Sequence, residues 1–175
     1  MPIPQKFLSR LGDRKLSFSV EVNNERLELT FKEAASRIAD FRNFWVNYWG
    51  PQFFSDIRAN FASQGGSVGG WRALSPEYAA WKRSVVGNKP ILQFTGEMLA
   101  SFTIGDRNNI FRAMKTRVVA GSRVKRVSYH NEGGGRLPKR QIIFIGPKRV
   151  YQPLLNRWVA EEMAAAGMPN VRRAS

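Results

Sequence analysis

His130 is the only histidine of this 175-residue chain, and cysteine is absent. A protein zinc site draws three or four ligands from Cys, His and carboxylates. Glu132 is the sole acid within twenty residues of His130, so the ligand count falls short. A Ser/His/Asp triad would normally present its serine on a Gly-x-Ser-x-Gly elbow between a strand and a helix; Gly65-Gly66-Ser67-Val68-Gly69 has that spacing, but it follows a helical pattern and lies in a glycine-rich loop, so it is no elbow. Gly133-Gly134-Gly135-Arg136 has the glycines of a phosphate cradle but lacks the Gly-Lys-Ser/Thr that completes one. Asp56, Glu77, Glu97 and Glu132 are scattered at no spacing that pairs carboxylates for acid/base or two-metal work. Without cysteine, disulfides, thiolate metal sites and thiol nucleophiles drop out together, which suits assembly in a reducing cytoplasm. The expectation is a protein without catalytic residues, metal or cofactor.

What the chain does carry is positive charge. Lys and Arg number 28 against 13 acids, a net +15. The excess is concentrated: between Asp106 and Arg149 twelve bases face only Asp106 and Glu132. Lys115, Arg117, Arg123, Lys125 and Arg126 form its centre. Such a stretch implies an acidic partner, either nucleic-acid phosphate or the acidic face of another protein; the plainer reading is a solvated basic face.

The elements that hold these residues follow from periodicity. A chain this long buries about 70% of its extended surface in one domain, and 43% hydrophobic residues, with twelve Phe and five Trp, require a packed core. No apolar run reaches the length of a signal h-region or a membrane span. Leu16, Phe18, Val20 and Val22 alternate, Asn23 and Asn24 follow, and Leu27 and Leu29 alternate again, predicting a half-buried β-hairpin. Thr30 and Glu33 have capping-box spacing ahead of a long helix through Ile38, Phe41, Trp45, Tyr48 and Trp49 that ends near Gly50 and Pro51. A second helix covers residues 52–63, and the glycine-rich residues 64–70 read as a mobile loop. Ser75-Pro76-Glu77 and Thr95-Gly96-Glu97 are helix starts. Residues 110–120 and 141–145 have strand composition, and a last helix carries Tyr151, Leu154, Leu155, Trp158 and Met163 before Gly167 and Pro169. The predicted class is α+β: an N-terminal β-hairpin, several helices on a mostly antiparallel sheet, and a C-terminal helix. An arm over residues 1–15 would precede the domain at 16–167, and residues 168–175 would form a flexible tail.

Two ordered blocks carry a resemblance. The first runs Gly69-Gly70-Trp71-Arg72-Ala73-Leu74-Ser75-Pro76-Glu77-Tyr78-Ala79-Ala80-Trp81-Lys82 and continues at Ile91-Leu92-Gln93-Phe94-Thr95-Gly96-Glu97-Met98-Leu99. The second is Tyr129-His130-Asn131-Glu132-Gly133, then Leu137-Pro138-Lys139-Arg140 and the apolar residues 142–146. Over roughly residues 31–165 the chain resembles the phage virion morphogenesis family, also called tail completion proteins, departing from its pattern at Met98-Leu99.

The resemblance implies an α+β subunit without catalytic activity that forms a ring at the head-tail neck of a tailed bacteriophage virion. A hexamer would match the tail tube and is favoured over a dodecamer, which would match the portal side. Implied partners are copies of itself, other neck and tail tube or sheath proteins, and double-stranded DNA passing non-specifically through the lumen, with no membrane. Trp71, Leu74, Tyr78 and Trp81 are candidates for the contact between subunits; at helical spacing the same residues also suit a monomer core. His130 belongs with them by motif, and Pro138 and Arg140 form either a strand entry or an inter-subunit salt bridge. Lys115, Arg117, Arg123, Lys125 and Arg126 would line the DNA channel or, as the preferred reading, meet acidic neighbouring proteins. A free-standing basic nucleic-acid-binding module is the alternative, supported by charge alone.

Overall fold

Phe53, Phe54, Ile57 and Phe61 recur every three to four residues, and all four are at most 2% exposed on one helical face. They organise the main core, which also takes in Trp71, Met98, Phe102, Val127 and Ile142. The computed structural model describes residues 7–11, 14–18 and 24–168 of this chain. It is a single α+β domain closed by a C-terminal helix.

Strands β1 (Phe7–Leu11) and β2 (Arg14–Phe18) pair antiparallel with Phe7 opposite Phe18, forming the N-terminal hairpin. The hairpin therefore lies earlier in the chain than its expected arms. Val20 and Val22 fall outside the described residues, and Leu27 and Leu29 belong to helix α1 (Asn24–Ile38). The physical reason is a competing period: Leu27, Phe31, Ala34 and Ile38 repeat at i, i+4, i+7 and i+11. Thr30 accordingly sits inside the helix, its hydroxyl donating to the Arg26 carbonyl at 2.9 Å, and does not cap one.

The next helix does not stop at Gly50 and Pro51. Short α2 (Arg42–Phe44) passes through a π-helical turn, Trp45–Trp49, directly into α3 (Gly50–Ala62). Gly50 N–H donates to the Trp45 carbonyl five residues back. The wider turn relieves the crowding that a proline imposes on the preceding turn, and Pro51 occupies the first turn of α3 without breaking it. Ahead of the bulge, Phe41 and Phe44 pack on the fully buried Trp158 at ring-centroid distances of 4.8 and 5.4 Å. Trp158 lies on α7 (Lys148–Ala165), where Pro153 is accommodated within the helix and Gly167 follows its end at φ +82°.

Residues 64–70, expected as a mobile loop, form a hydrogen-bonded turn. Gly65 adopts φ +90°, a 3-10 turn covers Gly66–Val68, and Gly70 N–H donates to Gly65 O at 2.7 Å. Trp71 N–H closes it by donating to Gln64 O at 2.8 Å.

Strands β3 (Asn109–Ala113) and β4 (Val118–Ser122) make a second antiparallel hairpin. Together with β1 and β2 they account for the named strands among the described residues, so residues 141–145, expected as a strand, belong to none. Side chains replace the missing ladder: Asn131 Oδ1 accepts from the Ile142 and Ile143 N–H groups at 2.9 and 2.8 Å. Gln141 O accepts from Trp71 Nε1 at 2.9 Å and from Asn60 Nδ2 at 3.0 Å. Between the two regions lies α6 (Lys125–Glu132), a helix that sequence reasoning did not anticipate.

Candidate functional site

Helix α4 (Pro76–Val86) begins as its sequence dictates: Ser75 Oγ accepts from the Tyr78 N–H at 3.3 Å, Pro76 opens the first turn, and Glu77 sits near the positive end of the dipole. That start leaves Tyr78 and Trp81 45% and 50% exposed, with ring centroids 5.3 Å apart. Beyond the helix the chain returns over Lys82. Its buried ammonium donates to Lys89 O at 2.9 Å and to Pro90 O, and burial, followed by the charge of Lys89, holds its pKa below the ordinary lysine value. The return brings Phe94 parallel to Trp81, 14° between planes and 5.7 Å between centroids. Thr95 Oγ1 accepts from Glu97 N at 3.3 Å, Gly96 turns at φ +88°, and α5 (Glu97–Ala100) follows. Arg126 of α6 pairs with Glu97, tying α6 to this wall.

His130 lies one turn after Arg126. Gly133 ends the helix at φ +72°, where a Cβ would stand 2.8 Å from Lys139 N, so only glycine lets the following loop fold back this closely. The fold-back sets Arg140 N–H on the His130 carbonyl at 2.7 Å. Arg140 itself is 4% exposed, its Nε donating to Arg72 O at 3.0 Å and its Nη2 to Ala73 O at 3.3 Å. Neither acceptor is a carboxylate, and burial first, then the neighbouring Arg72, lowers its pKa. The His130 Nδ1 is buried with no hydrogen-bond partner. Desolvation, with Arg140 and Arg126 adding to it, holds the imidazole below the ordinary histidine value of 6.5.

These elements enclose an open groove of about 1010 Å³. Leu74, Tyr78, Trp81, His130, Pro138 and Arg140 all line it, so the two sequence blocks converge on one concave surface. Trp71 departs from the set. It is 8% exposed, stands edge-on to Phe61 at 5.3 Å and donates to Gln141 O, so its role is core packing. Arg140 also departs from expectation: its fork is occupied by backbone carbonyls of its own chain, which leaves it a clamp on residues 72 and 73 in place of a surface salt bridge.

The basic residues are divided. Lys115 and Arg117 stand exposed at the turn of the β3–β4 hairpin, while Arg123, Lys125 and Arg126 lie at its other end and on α6. The five residues of β4 separate Arg117 from Arg123, about 20 Å at the usual rise. Arg126 alone of the five reaches the groove. Phe94, Arg72 and Arg136 also line it and were not singled out from sequence, although each lies inside or beside the two blocks. Their signal was position within a motif, since none of the three has distinctive spacing of its own.

Chemically the groove offers stacked aromatic faces, two prolines, and cations at rim and floor. Among the described residues no three His, Cys, Asp or Glu side chains gather to hold a metal ion, and no described helix is long and apolar enough to cross a membrane. The surface suits recognition of apolar side chains accompanied by negative charge. No family model, curated protein or solved structure matches this chain.

Proposed function

We propose that this protein is a non-enzymatic structural subunit of a tailed-phage virion, a ring-forming tail completion protein at the head-tail neck, assembled in the host cytoplasm. The observation that carries this reading is the convergence of both resemblance-bearing blocks on one exposed aromatic groove. The aromatic, proline and cationic side chains brought together there are recognition chemistry. A hexamer is favoured and a dodecamer remains the alternative ring. Neighbouring neck, tail tube or sheath proteins offer acidic faces to the exposed Lys115, Arg117, Arg123 and Lys125, an attraction that steers docking. DNA traverses the lumen without being read.

Light scattering over a range of concentrations at low and moderate salt, with negative-stain images, tests the reading. Closed rings of six or twelve copies are expected. A persistent monomer that retains DNA, with affinity falling steeply as salt rises, would select instead a basic nucleic-acid-binding module, the reading favoured by the net +15.

A further inference from the structure

Helix α1 carries a continuous apolar stripe of which only half is covered. Ala34 is 4% exposed and Ile38 half-buried where the C-terminal half packs on α7, and Arg37 there reaches Glu162 at 3.6 Å. One and two turns earlier on the same stripe, Phe31 and Leu27 are 58% and 43% exposed. The exposed acid Glu28 borders this stripe, about 100° round the helix from Leu27. The groove beside α4 is the converse surface: half-exposed Tyr78 and Trp81, then Leu137 and Pro138, with exposed Arg72 and Arg136 at the rim.

We infer that the N-terminal half of α1 from one copy of this chain seats in the α4 groove of the next copy. Leu27 and Phe31, spaced i and i+4, are the anchor pair by which an amphipathic helix enters an aromatic groove. Glu28, beside the anchors, then faces the rim arginines. Binding a neighbour by α1 leaves a copy's own groove free for a third, and the two surfaces are different, so the contact is heterologous; such contacts close into rings when the rotation between copies permits. The inference rests on the ring reading above and names the surfaces that make the ring.

The chain has no cysteine, so introduced thiols report proximity without background. In the full-length Lys32→Cys/Glu77→Cys variant both sites are exposed and flank the anchors without replacing them. Treatment with a short bismaleimide should give a ladder of covalent multimers on a denaturing gel, ending at ring size. The control Lys32→Cys/Val119→Cys, whose second site lies on β4, should give none. In parallel, Phe31→Glu and Trp81→Glu should each weaken association about 30-fold or more. An equimolar mixture of the two should give heterodimers and nothing larger, because one intact pair of surfaces remains. Wild-type rings with no ladder, or rings that survive both substitutions, would overturn this assignment and leave the ring reading standing. A wild-type protein that stays monomeric throughout would overturn the ring reading itself, and the assignment with it.

Discussion

Arg140 donates from Nε to the carbonyl oxygen of Arg72 at 3.0 Å across 68 residues of sequence, joining the end of one groove-lining block to the start of the other. The groove's floor is thus fastened by a cation with no carboxylate. Replacing it with methionine keeps most of the volume and frees the Arg72 and Ala73 carbonyls. Arg140→Met should lower stability by about 2 kcal/mol, seen as a shift of the urea midpoint at unchanged slope.

Asn131 is the second fastening. Its Oδ1 takes both the Ile142 and Ile143 N–H groups, and Ile142 is fully buried. Asn131→Ala leaves two donors without acceptors and should cost about 2–4 kcal/mol. Hydrogen exchange at amides 142 and 143 should accelerate more than at amides of α7.

The His130 imidazole has a folded pKa below its unfolded value, so the unfolded chain binds the extra proton first as pH falls. Its contribution is therefore full above the unfolded value of 6.5 and is lost as pH drops through 6.5 toward the folded value. Stability should decline from pH 7.5 to pH 5.5. As this is the only histidine, His130→Gln should flatten that part of the profile, measured as denaturation midpoint against pH.

Gly65 tests the turn ahead of Trp71. A Cβ there would stand 2.4 Å from Trp71 Cδ1, and the backbone holds φ +90°. Gly65→Ala combines backbone strain with overpacking and should cost about 2–5 kcal/mol. The altered environment of Trp71 should also show in near-ultraviolet circular dichroism.

Elements with local punctuation were legible in the sequence. Ser75-Pro76-Glu77 starts α4 and the apolar stripe of residues 151–163 marks α7, because caps and period act within a few residues. Residues 110–120 had strand composition, and the structure folds them into β3, a turn and most of β4. Other features depended on distant partners. Residues 141–145 look like a strand, yet Asn60, Trp71 and Asn131 satisfy them from elsewhere in the chain. Helix α6 buries only Val127, so its period was too faint to emerge from the charge around it. Leu27 and Leu29 fit an alternating pattern as well as a helical one until Phe31, Ala34 and Ile38 are counted with them. For the site, motif membership found Leu74, Tyr78, Trp81, His130, Pro138 and Arg140, but separating them from Trp71 required the Gln141 carbonyl 70 residues away.

The π-helical turn at Trp45–Trp49 works as an indexing step in a single rod. One extra residue rotates everything after it by about 100° relative to an uninterrupted helix. Phe41 and Phe44 before the step therefore address Trp158, while Phe53, Phe54, Ile57 and Phe61 after it address the main core. Two hydrophobic centres that lie off a common line are served by one unbroken helix. Gain or loss of a single residue in that turn throws one centre out of phase while sparing the other, so its length is as tightly constrained as any core side chain.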